Sequence, residues 1–419
     1  RSTPKPSSAA SDVYKRQPQF VVRYIVANTL GRLLEERTYN EVRQLKVLDP
    51  ACGSGSFLIE AFDVLDKYHQ RVRGDHDEFD FFRRAEILTS NIYGVDLDAQ
   101  AVEIARLNLL LKTLNQRARL PDLANNIRQG NSLISGTPEE LREYFGENWE
   151  EKRPFNWEEE FPEIMASGGF DVVIGNPPYV RIQTLDKDEV AFYNDHYEAA
   201  TGNYDIYTLF VERGLKLLRP GGVFGMILPN KFMQARYGKG LRKLLSDAKA
   251  VWKVVNFEDA QVFEEATTYT CLLFLQKAPS SKVLYIPAGE YLKEHADRPN
   301  LTEVEALAFP AEPKRLTAAP WVFVSKRESG LMDRLAAAGP TLGEIAERLF
   351  VGLQTSADPI YILEDLGSVG EELRLVRSRT TKREHLLEKR RWEDAIRGVV
   401  RLRKATEPRP VRSSQTGQC

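Results

Sequence analysis

Cysteine is scarce. Cys52, Cys271 and Cys419 are widely separated and odd in number, which excludes a disulfide framework and a zinc-ligand spacing. The five histidines, His69, His76, His196, His295 and His385, have no paired ligand spacing, so no metal centre is expected. No apolar run approaches the roughly 20 residues of a membrane span, and no secretory signal is evident; the expected setting is the reducing cytoplasm. An excess of either charge is also lacking. With 58 Lys+Arg against 60 Asp+Glu, the net charge of −2 announces no acidic or basic partner, although a sum over the chain can hide a local basic face. The 42% hydrophobic and 28% charged residues describe a globular chain, and 419 residues suffice for two or three domains.

What is present centres on GFDVVIGNPPYV, residues 169–180. Residues 170–174 read as a buried strand that runs straight into Asn176, Pro177, Pro178 and Tyr179. Two prolines fix φ and remove two N–H donors, so the strand stops there. Its carbonyls cannot return to a ladder, and an amide side chain and an aromatic ring flank them. That set suits a planar group bearing an NH2: acceptors for its protons at one edge, a ring for its face.

Upstream, LKVLDPACGSGSF places Asp49 at a strand end, then Gly53 and Gly55 in a tight turn, then an apolar helix from Phe57. Strand, glycine turn and helix make a nucleotide-type cofactor unit, with ligands at the carboxyl ends of parallel strands. It lacks the Gly-Lys-Ser/Thr of a phosphate-binding loop and the dinucleotide spacing. The next unit, residues 91–111, repeats the logic: Asp96 closes a strand where an acid can accept both hydroxyls of a ribose, and Asp98 reads as a helix cap. A third strand ends at Asn131 and Ser132, polar groups that can read an adenine edge or, for Asn131, form an Asx turn.

Residues 136–167 read as an acidic surface excursion and residues 181–201 as a polar, mobile segment. Further strands are expected near residues 222–232, 251–259 and 267–277, the last two as an antiparallel hairpin. Alternating strands and helices predict a doubly wound α/β domain over residues 18–277. Residues 278–320, with Pro310, Pro313 and Pro320, read as a linker, and residues 321–370 as the start of another domain. Residues 371–419 hold 14 Lys+Arg against 7 Asp+Glu. They read as a basic tail: an arm for DNA, a solvated face, or an out-of-frame end. The Ser/Pro-rich residues 1–17 are a disordered tail or an adapter. DVYKRQ is what GATGTGTATAAGAGACAG encodes, a sequence resembling a transposon-end adapter, and on that reading the chain is a metagenomic fragment.

With DPACGSGSF, GVDLD and GNPPYV in this order, the sequence resembles the gamma arrangement of N6-adenine-specific DNA methyltransferases, most of all those within single-chain type IIG restriction-modification enzymes. The resemblance covers residues 18–363. It implies a Rossmann-like methyltransferase sheet of about seven strands with an antiparallel last strand, followed by a DNA-recognition domain. It implies S-adenosyl-L-methionine as cofactor and double-stranded DNA with a flipped adenine as partner. It places Asp49, Ala51, Gly53 and Gly55 at the methionine moiety, Asp96 at the ribose, Leu97 against the adenine ring, and Asn131 and Ser132 at the adenine edge. Asn176, Pro177, Pro178 and Tyr179 match the catalytic motif, with Tyr179 stacking on the flipped base. Phe263 matches a second aromatic of the base pocket, although core packing explains it equally. Asp205, Tyr207 and Phe210 fall at a further motif near the cofactor. One departure is Arg16-Gln17 before Pro18, where the family has an aromatic-Thr lead. Methylation of an RNA amine or a protein glutamine, and a catalytically incomplete DNA-binding fragment, are the competing expectations.

Overall fold

Short runs such as Val-Leu-Asp at 47–49 and Phe-Asp-Val-Val-Ile-Gly at 170–175 are apolar on both faces, as strands covered on both sides must be. In the computed structural model, which describes residues 18–73, 80–113, 120–263, 268–324, 363–378 and 384–388 and a few single positions between 328 and 339, these runs form the centre of one sheet. Its strands are β1 (Val47–Asp49), β2 (Ile92–Asp96), β3 (Ile127–Gln129), β4 (Phe170–Gly175), β5 (Leu218–Pro229), β6 (Val251–Asn256), β7 (Thr270–Gln276), β8 (Val283–Pro287) and β9 (Phe309–Ala311). The order is β3-β2-β1-β4-β5-β7-β6-β8-β9. β1 to β5 pair in parallel. β7 enters antiparallel between β5 and β6. The strand order reverses between β1 and β4, so the loops leaving these two strands open a crevice at their carboxyl ends.

Alternate side chains feed two hydrophobic clusters, one on each face. Val47, Ile92, Val172, Ile174 and Phe274 belong to one, and Leu48, Val95, Val173, Phe224 and Leu273 to the other. On the first face, helix Gln19–Val26 continues through a π-turn, Ala27–Gly31, that lies on β5. The approach needs Gly225, because a Cβ there would sit 2.8 Å from Thr29 Cγ2.

The structure departs from the sequence expectations in several places. Residues 278–320 are not a linker: β8 pairs with β6 and β9 with β8, extending the sheet to nine strands instead of about seven. Pro310 is tolerated because β9 is an edge strand. Trp321 does not open a new domain. It is buried, its N–H donates to the Met233 carbonyl at 2.8 Å, and its ring packs edge-on against Phe232. Residues 136–167 are not a mere surface excursion, since Phe155 and Trp157 are buried and the Trp157 Nε1–H donates to the Ser132 carbonyl at 3.3 Å. Within residues 181–201, the helix Lys187–His196 buries Phe192 and Tyr193, and Tyr197 follows them into the core.

The chain divides into two compact units between Leu331 and Met332. In the second, β10 (Leu363–Val369), β11 (Leu373–Ser378) and β12 (Glu384–Glu388) make an antiparallel sheet with Val376 buried. β11 and β12 fall where a basic tail was expected. Nearly all of residues 325–362, within the stretch expected to start another domain, lie outside the described residues, as do residues 1–17.

Candidate active site at the strand ends

After β1 the chain turns back on Gly53 and Gly55, at φ +52° and +86°, where a side chain would be strained. A Cβ on Gly53 would meet nothing within 4 Å, so the turn faces open space. A Cβ on Gly55 would lie 3.3 Å from Ala105 Cβ, so this glycine admits helix Ala99–Leu111. The Gly53 N–H donates to Asp96 Oδ2 at 2.8 Å, and the Asp98 N–H to Asp96 Oδ1 at 2.9 Å. The acid at the end of β2 is thereby locked to the glycine turn. Asp98 caps its helix, as expected, by accepting the Gln100 N–H at 2.9 Å.

Asp49, only 1% exposed, accepts the Ala51 N–H at 3.0 Å. Burial, with Asp96 nearby, pushes its carboxyl up to about 8. Burial raises Asp96 as well. Leu97 is 52% exposed beside Asp96, an apolar surface open to a flat ring. Asn131 and Ser132 already have partners within the protein. Asn131 Oδ1 accepts the Leu133 N–H at 3.1 Å, the Asx turn. The buried Ser132 hydroxyl donates to the Pro50 carbonyl at 2.6 Å, so it braces the glycine loop. Open space over Gly53, the acids Asp49 and Asp96 and an exposed Leu97 fit an adenine-bearing cofactor with a ribose.

Across the crevice, β4 ends at Gly175, φ +155°, pressed against that same acid. A Cβ here would stand 2.6 Å from Asp49 Oδ1. Nothing in the sequence marked this glycine except its place between strand and Asn-Pro-Pro. Asn176 follows, and its Oδ1 is buried without a hydrogen-bond partner. Pro177 is buried and Pro178 exposed. Tyr179 is held by its hydroxyl, which donates to the Ile227 carbonyl of β5 at 3.1 Å, and by an edge-on contact with Tyr207 at 6.0 Å. Burial raises the hydroxyl far above the usual phenol range, so it stays a donor.

Asp205 sits behind this turn. Its backbone bridges to Arg181, and the Ile206 N–H donates to the Val180 carbonyl at 3.0 Å. The nearby backbone N–H groups of Tyr207, Val180 and Ile206 favour its ionised form, yet burial still raises its carboxyl to about 6. Its Oδ1 and the Tyr204 hydroxyl are buried and unpartnered. Tyr207 and Phe210 are core residues, Tyr207 with its hydroxyl 3.0 Å from that of Tyr237. Phe263 is half-buried and packs with the hydrophobic cluster of the opposite face from the one that holds Tyr179.

An antiparallel β7 wedged between β5 and β6, with loops at the ends of β1 and β2, is the Rossmann-like fold of the methyltransferases whose cofactor is S-adenosyl-L-methionine. Within that class the model of the Eco57I restriction-modification methylase family matches residues 90–263. A second model, the methyltransferase domain of RMKL-like proteins, matches residues 34–139. The type II restriction enzyme and methyltransferase RM.Eco57I of Escherichia coli is 32% identical over 380 residues, covering 84% of this chain and 36% of that protein. The adenine-specific methyltransferase PglX of Streptomyces coelicolor is 30% identical over 261 residues, 56% of this chain and 21% of that protein. The chain thus spans about a fifth to a third of the length of these relatives. Among solved structures, the ATP-dependent type ISP restriction-modification enzyme LlaBIII bound to DNA shares the fold, with a TM-score of 0.52 at 15% identity over 75% of this chain and 22% of that one.

Proposed function

We propose that this chain methylates the N6 amino group of adenine in DNA, as the modification activity of a restriction-modification or related phage-defence system. The observation that carries the reading is the buried, unpartnered Asn176 Oδ1 in a turn pressed against the cofactor side of the crevice. An unpaired buried acceptor is costly unless a donor meets it, and an exocyclic amine supplies two N–H bonds.

The target base lies inside a duplex, so it must first be flipped out, at a cost of a few kcal/mol. Tyr179 takes the base on its ring; stacking of this kind is worth about 1–3 kcal/mol. Because its hydroxyl and edge are already fixed, little ordering remains to be done on binding. Asn176 Oδ1 and the Pro177 carbonyl accept the two N–H bonds of N6. The nitrogen lone pair, otherwise spread into the ring, is then directed out of the base plane. S-adenosyl-L-methionine supplies an electrophilic methyl group; Asp49, Asp96 and Leu97 would hold it, with Ser132 and Asn131 bracing the loops. Alignment and hydrogen bonding to the attacking nitrogen carry the catalysis.

Transfer of labelled methyl groups to DNA, RNA and protein, followed by mapping of the modified group, tests this. Label on adenine N6 in duplex DNA is expected. Label confined to RNA or to glutamine would overturn it, as would label on cytosine N4.

A further inference from the structure

Four exposed cations line the edge of the sheet beside the catalytic turn. β4 and β5 run in parallel with Gly175 opposite Met226, so their carboxyl ends share one edge. Arg181 follows the Asn176–Tyr179 turn, and Lys231 follows shortly after the last residue of β5. The bridge from Arg181 to Asp205 leads to helix Tyr207–Leu217, and Tyr207 touches Tyr237, which is flanked by Arg236 and Lys239. The Thr201 hydroxyl fastens that segment by donating to the Tyr237 carbonyl at 2.6 Å. Arg181, Lys231, Arg236 and Lys239 are all exposed and none is in a salt bridge among the described residues; Arg181 lies close enough to Asp205 to favour its carboxylate without pairing with it. Residues 230–246 contain no acid at all. Other exposed lysines of the same unit are paired, such as Lys243 with Asp247 and Lys293 with Asp259, while Lys67, Lys187, Lys249 and Lys282 stand singly elsewhere on its surface.

A second feature lies on the same edge. Tyr269 is 47% exposed and precedes Thr270, which pairs with Pro229 of β5. The Asn230 N–H donates to the Tyr269 carbonyl at 3.0 Å, which places Tyr269 across from the residue that precedes Lys231. No ring or hydrogen-bond partner of its side chain occurs among the described residues. Unpaired cations interleaved with an open aromatic are the chemistry of a nucleic-acid track: guanidinium and ammonium groups for phosphates, a π-face for a base. With a net charge of −2, the chain as a whole cannot attract a polyanion, so such attraction must be local.

We infer that Arg181, Lys231, Arg236 and Lys239 grip the phosphate backbone of the substrate strand next to the flipped base, with Tyr269 stacking on an adjoining base. The inference rests on the reading of the chain as a nucleic-acid methyltransferase. Its test needs no catalysis: affinity for a fluorescein-labelled DNA duplex of arbitrary sequence is followed against NaCl concentration. In the variant carrying Arg181→Gln, Lys231→Gln, Arg236→Gln and Lys239→Gln, the slope of log affinity on log salt becomes shallower by about 3 to 4, near 0.9 for each phosphate no longer neutralised. Lys231→Gln alone removes about 0.9. Tyr269→Ala weakens binding about tenfold and leaves the slope unchanged, because stacking releases no counterions. Lys293→Gln matches the parent. Cofactor affinity measured by calorimetry stays at the parent value throughout and reports an intact fold. A quadruple variant with the parent slope overturns the inference and leaves the proposed reaction standing. So does a Lys293→Gln slope change as large as that of Lys231→Gln. A parent that shows the slope but transfers label to no nucleic acid removes the reaction and keeps the track. A parent that binds no duplex removes the track.

Discussion

On the β1–β3 side of the crevice, the polar groups are already served by the protein. Asp96 takes two backbone N–H groups, Asp49 one, Asn131 closes an Asx turn, and Ser132 reaches the Pro50 carbonyl. On the β4–β5 side, Asn176 Oδ1, Asp205 Oδ1 and the Tyr204 hydroxyl are buried with no partner. The first side is a pre-formed seat whose loops are braced by short-range contacts. The second is a set of acceptors held rigid and unsatisfied, so the base that brings N–H donors is bound by the groups that activate it. Recognition and activation of the amine coincide in one turn, while cofactor binding is spread over three strand ends.

If this contrast is right, mutations on the two sides separate rate from affinity. The largest effect is expected for Asn176→Ala: methyl transfer falls about 10²- to 10³-fold, as when other transition-state hydrogen bonds are removed, while cofactor affinity is unchanged. Single-turnover kinetics beside calorimetry reads both, and parent-like transfer would remove Asn176 from the mechanism. Asp96→Ala should do the reverse. Removing hydrogen bonds to a charged group weakens cofactor binding about 10- to 100-fold, with little change in rate at saturating cofactor.

The third prediction concerns pH. Asp49 stays protonated in the fold up to about 8, whereas in an unfolded chain it ionises near about 4. The folded state therefore holds an extra proton between those values. The stability this supplies is fully present below about pH 4 and is lost as pH rises toward about 8. Asp205, raised to about 6, acts in the same direction. The melting temperature should decline from about pH 5 to about pH 8, and Asp49→Asn should flatten the decline; an unchanged profile in that variant would assign the pH dependence elsewhere. The smallest effect is expected for Ser132→Ala, about 1 kcal/mol for one buried hydrogen bond. That amounts to a drop of about 2–4 °C by calorimetry, with the rate preserved.

What the sequence disclosed was whatever is local. The strand ending in two prolines, the glycine turn after Asp49 and the cap at Asp98 are written in adjacent residues, and the structure has them there. What it hid was decided at a distance. Nothing near Ser132 in the chain shows that the Pro50 carbonyl lies within reach of its hydroxyl. Trp157 looked exposed because Glu158 and Glu159 beside it face solvent, while the indole turns inward. Pro310 looked like a linker residue, although an edge strand accommodates it. Gly175 could not be read as a contact point until Asp49 was seen against it.

The place of β7 has a consequence for how the chain is made. β5 and β6 are not hydrogen-bonded to each other; Thr270–Gln276 lies between them and pairs with both. During synthesis from the amino end, β1 to β4 can gather around local helices, but β5 keeps a bare edge until the chain has grown past residue 276. A ribosome pausing anywhere between β5 and β7 would leave that edge open to pairing with another chain.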